Sequence, residues 1–167
     1  VQLLLSRLGD NGLLAFGLTP QEADTVRGVL GEMHTVTPDS IHFVKAAPSD
    51  SWVLKNQGEG GGHCLFGADI LAKLETLEPQ QYQAWSLMGR LHPVPRPMSA
   101  WIVRKGELHR VTNLISELGM FTVQIDGNPG CAEQSFAGYL LRSKSAESTE
   151  GGIHSGQGVL DSLVFSD

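Results

Sequence analysis

Four of the five residues at positions 58–62 are glycine, inside the run Lys55-Asn56-Gln57-Gly58-Glu59-Gly60-Gly61-Gly62-His63. Glycine loses more backbone freedom on ordering than any other residue, so this run is neither a stable helix nor a stable strand. It must be a connection. Before it, Trp52-Val53-Leu54 reads as a short apolar strand. After it, Leu65, Ile70, Leu71, Leu74 and Leu77 recur as one face of an amphipathic helix over 65–77. A strand, a glycine turn and a helix start aim several backbone N–H groups at one point and cradle phosphate oxygens. Lys55 would add a point charge there. Glu59 is placed to hold Mg²⁺ that bridges those phosphates. The loop is not a Walker A sequence, since no Gly-Lys-Ser/Thr closes it, and its glycines are not spaced as in the dinucleotide fingerprint. The alternative reading of the same residues is a flexible surface hairpin, and spacing does not separate the two.

Gly62-His63-Cys64-Leu65 supports a rival. It sets Cys64 at the expected helix start, where a thiolate is stabilised. Cysteine proteases use such a nucleophile with a remote histidine, and His92, His109 and His154 are available. An ordinary buried thiol fits the same pattern. A metal site on His63 and Cys64 is disfavoured, because adjacent residues rarely aim at one ion and no second pair exists.

The remaining elements set the fold class. Residues 1–17 read as a short helix ending near Gly9 and then a loop. Thr19-Pro20-Gln21-Glu22 starts a helix, with Thr19 as cap, Pro20 in the first turn and Glu22 three residues on. Ala23, Val26, Val29, Leu30 and Met33 continue it. Ile41–Val44 is a short strand or helix. Strands are expected at 84–88, 101–103, 108–115, 120–125 and 136–141. Lys105-Gly106 and Asp126-Gly127-Asn128-Pro129-Gly130 are turns. Pro93, Pro95 and Pro97 make 92–98 a stiff extended linker. Gly151-Gly152-Ile153-His154-Ser155-Gly156 is a second glycine loop, followed by apolar Val159 to Phe165. This mixture is α+β, with a largely antiparallel sheet and flanking helices.

The chain has 167 residues, 41% of them hydrophobic, which suits one domain or a large part of one. A formal charge of −6 with no basic stripe argues against nucleic acid and against a membrane surface. No apolar run reaches bilayer length. Cys64 and Cys131 are no disulfide framework, so a reducing compartment, the cytoplasm, is expected. The start at Val1 lacks the features of a signal peptide and suggests a processed or excerpted chain.

Three blocks carry a resemblance. Trp52-Val53-Leu54-Lys55-Asn56-Gln57-Gly58-Glu59-Gly60-Gly61-Gly62, with Leu65-Phe66-Gly67 after it, resembles the glycine-rich loop of the eukaryotic-type glutathione synthetases. Leu114-Ile115-Ser116-Glu117-Leu118-Gly119-Met120-Phe121 is similar to that family's Ile-Ser-Glu-Leu-Gly-Ile-Phe block. Leu140-Leu141-Arg142-Ser143-Lys144, then Glu147, Gly151-Gly152-Ile153, Gly156 and Val159-Leu160-Asp161, is similar to its carboxy terminus. Val1 to Gly9 resembles a segment before the family's lid. The blocks keep the family's order and cover the carboxy-terminal third of its usual length. The chain differs from the family pattern at Asn56, His63-Cys64, Gly89 and the second glycine loop.

The resemblance implies an ATP-grasp fold with two glycine-rich lid loops, and ATP and Mg²⁺ as cofactors. It implies ligation of γ-glutamylcysteine to glycine through an acyl phosphate, giving glutathione. Lys55 would contact ATP phosphates, Glu59 would bind Mg²⁺, and Gly60, Gly61 and Gly62 would cover the triphosphate, with Phe66 beside the nucleotide. Met88-Gly89-Arg90-Leu91 would be the hinge whose backbone pairs with adenine. Glu117 and Lys144 would serve the nucleotide, and Arg142 would hold a substrate carboxylate as the catalytic arginine. Ile153 and His154 would close on the peptide. An amino-terminal portion would complete the site, in an enzyme that is a homodimer when whole. The alternative is a degenerate relative kept as a structural or regulatory subunit. Two structural expectations follow. The first glycine loop lies between a strand and a helix and is poorly ordered without nucleotide, and Lys55, Glu59, Glu117 and Lys144 share one cleft.

Overall fold

The computed structural model of the chain describes residues 2–58, 63–130, 135–149, 151–154 and 156–163. They fall into two units, 1–91 and 92–167. The division falls where the proline-rich linker was expected, and residues 92–96 carry no regular structure.

The first unit runs α1 (Gln2–Arg7), α2 (Asp10–Leu14), α3 (Pro20–Val29), β1 (Met33–Thr35), α4 (Ser40–Ala46), β2 (Trp52–Asn56), β3 (Cys64–Phe66), α5 (Ala68–Leu74), a 3-10 turn at Pro79–Ala84, and β4 (Trp85–Gly89). The expected loop after Gly9 contains α2. At the start of α3, the Glu22 N–H donates to Thr19 Oγ1 at 3.3 Å and the Thr19 N–H donates to Glu22 Oε2 at 2.8 Å. These reciprocal bonds satisfy two orphan donors of the first turn. The backbone and hydroxyl of Thr19 hold the Glu22 carboxyl below its ordinary range. The helix stops at Val29, short of the expected Met33, because Gly28 and Gly31 weaken it. Met33 opens β1 instead. Ile41–Val44 resolves to helix, as part of α4.

The sheet of this unit has the order β1-β4-β2-β3, every neighbour antiparallel. Its core joins Val36, Val44, Trp52, Leu54, Ile70, Leu74, Leu77 and Leu87. Leu54 and Leu87 are fully inaccessible. Helices α4 and α5 thus supply Val44, Ile70 and Leu74 against one face of the sheet.

The expected helix over 65–77 is corrected. Leu65 lies in β3, opposite Leu54, so the glycine loop joins two antiparallel strands and the helix starts only after Gly67. The periodicity misled because a strand residue and helix residues contribute to the same buried face. Gly67, at φ 54°, provides the break between them. Cys64 consequently sits in a strand and not at a helix start, which removes the basis of the protease reading.

The second unit contains β5 (Ala100–Arg104), β6 (Glu107–Val111), β7 (Leu114–Thr122), β8 (Gln124–Ile125), β9 (Asn128–Pro129), β10 (Phe136–Ser145) and β11 (Gly158–Asp161). The hairpin β5–β6 turns at Lys105-Gly106 as expected, both with positive φ. The expected strands at 108–115 and 120–125 are divided differently. Asn113, at φ 54°, separates β6 from β7, and β7 runs unbroken through Met120. The main sheet is β11-β10-β7, antiparallel throughout. The architecture is therefore mixed helix and antiparallel sheet. Among the described residues no helix is long and apolar enough to cross a membrane.

Candidate functional site

Directly opposed residues in neighbouring strands share a sheet face. In the first unit Val53 stands opposite Phe66 and Met88, and Lys55 stands opposite Cys64 and Ser86. Lys55, Phe66 and Met88 therefore share the face that points away from Leu54 and Leu87. All three are half-buried. The Arg90 guanidinium lies 5.4 Å from the centre of the Phe66 ring, a cation–π distance. Lys55 is beside the mouth of the glycine loop and has no ion-pair partner among the described residues.

The Met88-Gly89-Arg90-Leu91 stretch is tied into its own unit. The Gly89 N–H donates to the Glu32 carbonyl and the Arg90 N–H to the Ser51 carbonyl, both at 2.8 Å. A β-carbon on Gly89 would meet Glu32 Cβ at an ordinary 3.5 Å, so glycine is not sterically required there. Leu91 is exposed. Glu59, Gly60, Gly61 and Gly62 lie outside the described residues, as does the expectation about their order.

In the second unit Glu117 on β7 stands opposite Arg142 on β10. Arg142 Nη2 donates to Glu117 Oε2 at 2.8 Å. Lys144, two residues along the same strand, places Nζ 3.6 Å from Glu117 Oε1. One carboxylate thus joins two cations and leaves a net positive cluster. Glu117 and Arg142 also line an open cleft of about 430 Å³ with Leu118, Gly119, Phe121 and Leu140. Gly151, from the second glycine loop, lies against this cluster. A β-carbon there would be 3.4 Å from Lys144 Cδ and 3.7 Å from Glu117 Oε2. Ile153 and His154 line a different cleft, of about 810 Å³, between hairpin β5–β6 and β11. Of the four residues expected to share one cleft, Glu117 and Lys144 pair in this unit, and Glu117 alone of the two lines the cleft of about 430 Å³; Lys55 belongs to the other unit and Glu59 lies outside the described residues.

The opposite face of this sheet holds a network the sequence reading did not single out. Arg96 donates to Ser116 Oγ from Nε at 3.0 Å and from Nη2 at 2.7 Å, and to Ser143 Oγ at 2.9 Å. It also pairs with Asp161 Oδ2. Ser143 donates to the same carboxylate oxygen at 2.6 Å. Burial raises the Asp161 pKa, but the bonds from Ser143, the Ser162 N–H and Arg96, with the Arg96 charge, outweigh it and hold the carboxyl below its ordinary range. The available signal was alternation. Ser116 and Ser143 each adjoin a charged residue that faces the other way.

A mixed helix and antiparallel-sheet protein with a cation-rich cluster under a glycine loop defines the class. The chain matches the family described as "Eukaryotic glutathione synthase, ATP binding domain" over residues 6–165, and it belongs to that family. It is 33% identical to the glutathione synthetase of Homo sapiens over 96% of its own length and 34% of that protein's. The Xenopus laevis glutathione synthetase is 35% identical over 74% of this chain and 26% of its own length. A chloroplastic glutathione synthetase of Arabidopsis thaliana is 36% identical over 68% of this chain and 21% of its own. The chain therefore spans about a fifth to a third of the length of these relatives. Its fold is similar to a glutathione synthetase-like effector from Globodera pallida, in apo form. The TM-score is 0.57 and the identity 23%, over 96% of this chain and 32% of that one.

Proposed function

We propose that this chain is the ATP-binding part of a glutathione synthetase of the ATP-grasp class. The complete enzyme joins γ-glutamylcysteine to glycine through an acyl phosphate. The observation that carries the reading is Lys55, half-buried at the mouth of the glycine loop, on one sheet face with Phe66 and Met88, and without a counter-ion among the described residues. A lysine at that position with no carboxylate partner among the described residues offers its charge to a phosphate. In this reading Phe66, Met88 and Arg90 border the nucleotide, and the hinge backbone beside them serves adenine. The glycines 60–62 and Gly151 belong to the two lid loops. Glu117 and Lys144 serve the nucleotide, and Arg142 holds a substrate carboxylate. Ile153 and His154 meet the peptide. Mg²⁺ suits a site of one carboxylate and phosphate oxygens, with Glu59 as the carboxylate. When bound, it would neutralise charge on the phosphates.

The remaining substrate contacts belong to an amino-terminal portion of the enzyme. A second reading, a degenerate relative in a structural or regulatory role, is favoured by the departures from the family pattern at Asn56, His63-Cys64 and Gly89. Titration calorimetry of the purified chain with ATP, with and without Mg²⁺, tests the nucleotide assignment. Saturable binding that weakens in Lys55→Ala is expected. Absence of saturable heat in the folded chain would remove the nucleotide assignment.

A further inference from the structure

The charged cluster on one face of β7 and β10 depends on register. A slip of one residue between these strands would turn Glu117, or Arg142 and Lys144, to the wrong face. Ser116 and Ser143 oppose each other in the same register and occupy the other face. Their hydroxyls are 2.9 Å apart, and one guanidinium reaches both. That guanidinium belongs to Arg96, whose own N–H donates to the Leu114 carbonyl at 2.7 Å, two residues before Ser116. It continues to Asp161 on β11. The Gly158 end of β11 is in turn held to the second glycine loop, since the Gln157 and Gly158 N–H groups both donate to the Gly152 carbonyl at 3.1 Å. Arg96 therefore binds all three strands of the sheet, and one of those strands anchors the loop against Lys144.

We propose that Arg96 is a positioning residue: by clamping Ser116, Ser143 and Asp161 on one face of the sheet, it holds Glu117 and Lys144 together on the other. The planar fork suits the role, because a guanidinium presents several donors in fixed directions where an ammonium presents a point charge. The proposal deepens the nucleotide reading by naming what positions that unit's charged residues. The clamp itself is defined without nucleotide.

Competitive acylation of lysines in the intact chain, read peptide by peptide by mass spectrometry, tests it. Lys144 keeps only 15% of its side chain exposed and is shielded beside Glu117. In Arg96→Ala its acylation is expected to rise roughly fivefold or more, as the local opening equilibrium shifts. Lys45 and Lys73 in the first unit serve as references and should keep their rates. Arg96→Lys should fall between the wild type and Arg96→Ala, because it retains the charge facing Asp161 but loses the fork. Ser116→Ala, which removes one acceptor and no charge, should raise the Lys144 rate in the same direction and covers the case of an unfolded Arg96→Ala. A Lys144 rate unchanged against the references in either folded variant overturns the clamp. So does a uniform rise at all lysines, which marks general loosening. Adding ATP to the wild type is a separate arm. Failure of ATP to slow Lys144 acylation counts against the nucleotide reading, and the unliganded rates still decide the clamp.

Discussion

Arg142 donates to Glu117 at 2.8 Å across the β7–β10 register, yet both side chains remain more than 40% exposed. Ion pairs this open to water contribute about 0–1 kcal/mol after screening and side-chain ordering. The pair therefore adds little to stability, and its position beside the cleft of Leu118, Gly119, Phe121 and Leu140 is the more informative fact. Arg142→Ala should shift the denaturation free energy by less than about 1 kcal/mol. In a complete enzyme containing this chain, it should raise KM for peptide or glycine by roughly thirtyfold or more, with a smaller change for ATP. Steady-state kinetics against each substrate measure this. A rise confined to ATP would reassign Arg142 to the phosphates.

The Arg96–Asp161 network sets a pH dependence. The Asp161 carboxyl titrates below its ordinary value of 3.8 in the folded chain and near that value when unfolded. The unfolded state therefore binds more protons in this range, and stability rises with pH. The contribution is complete above the ordinary aspartate range and is lost as pH falls through the folded value. Asp161→Asn should flatten the acid limb of a stability profile taken from pH 6 to about pH 3, and should leave a lower plateau near neutrality. Equal acid slopes in the two proteins would show that other carboxylates carry the limb.

Much of the fold was legible where one residue type dictated the backbone. Thr19 and Glu22 marked the start of α3, Lys105-Gly106 marked a hairpin, and Pro93 to Pro97 marked an extended stretch without regular structure. Reading failed where two periodicities overlapped. Leu65 belongs to a strand and Ile70 to a helix, yet both face the same core, so their spacing mimicked one helix. Of the candidate site, the family blocks named Glu117, Arg142 and Lys144, and the structure brings those three together. Arg96 was not legible, because its role depends on strands 20 to 65 residues away. An arginine in a proline run has no periodic partner to betray it.

Trp52 offers a test of core energetics. It is 7% exposed and packs on His34 and Phe43, at ring distances of 5.4 and 4.9 Å. Its indole N–H is buried and has no hydrogen-bond partner among the described residues. An unmet buried donor costs about 1–3 kcal/mol, so removing it offsets part of the volume lost on shortening the ring. Trp52→Phe should cost less than about 2 kcal/mol, whereas Leu54→Ala, at an inaccessible position, should cost about 2–5 kcal/mol. Urea denaturation of both variants makes the comparison. An equal or larger loss for Trp52→Phe would show that ring volume outweighs the orphan donor.

Gly158 opens β11 opposite Lys144, and its backbone presses on the second glycine loop. A β-carbon built there would collide with the Gly151 carbonyl oxygen. A backbone oxygen cannot rotate aside as a side-chain tip can. Alanine at 158 must therefore shift β11 from β10 or push the loop outward, and either movement strains the bonds that the Gln157 and Gly158 N–H groups make to Gly152. Overpacking of this kind typically costs about 1–3 kcal/mol. Gly158→Ala should lower stability by that amount and loosen Gly151 from Lys144 and Glu117. Faster hydrogen exchange should then be confined to β11 and the residues just before it, with the first unit unaffected. Gly28→Ala is the matched control, because a β-carbon at that helical position meets nothing within 4 Å. It should be neutral or stabilising, since alanine is the better helix former. A Gly158→Ala chain as stable as the wild type, with unchanged exchange in β11, would mean that the loop yields to a methyl group without strain. Gly158 would then not be the point at which β11 holds the loop in place.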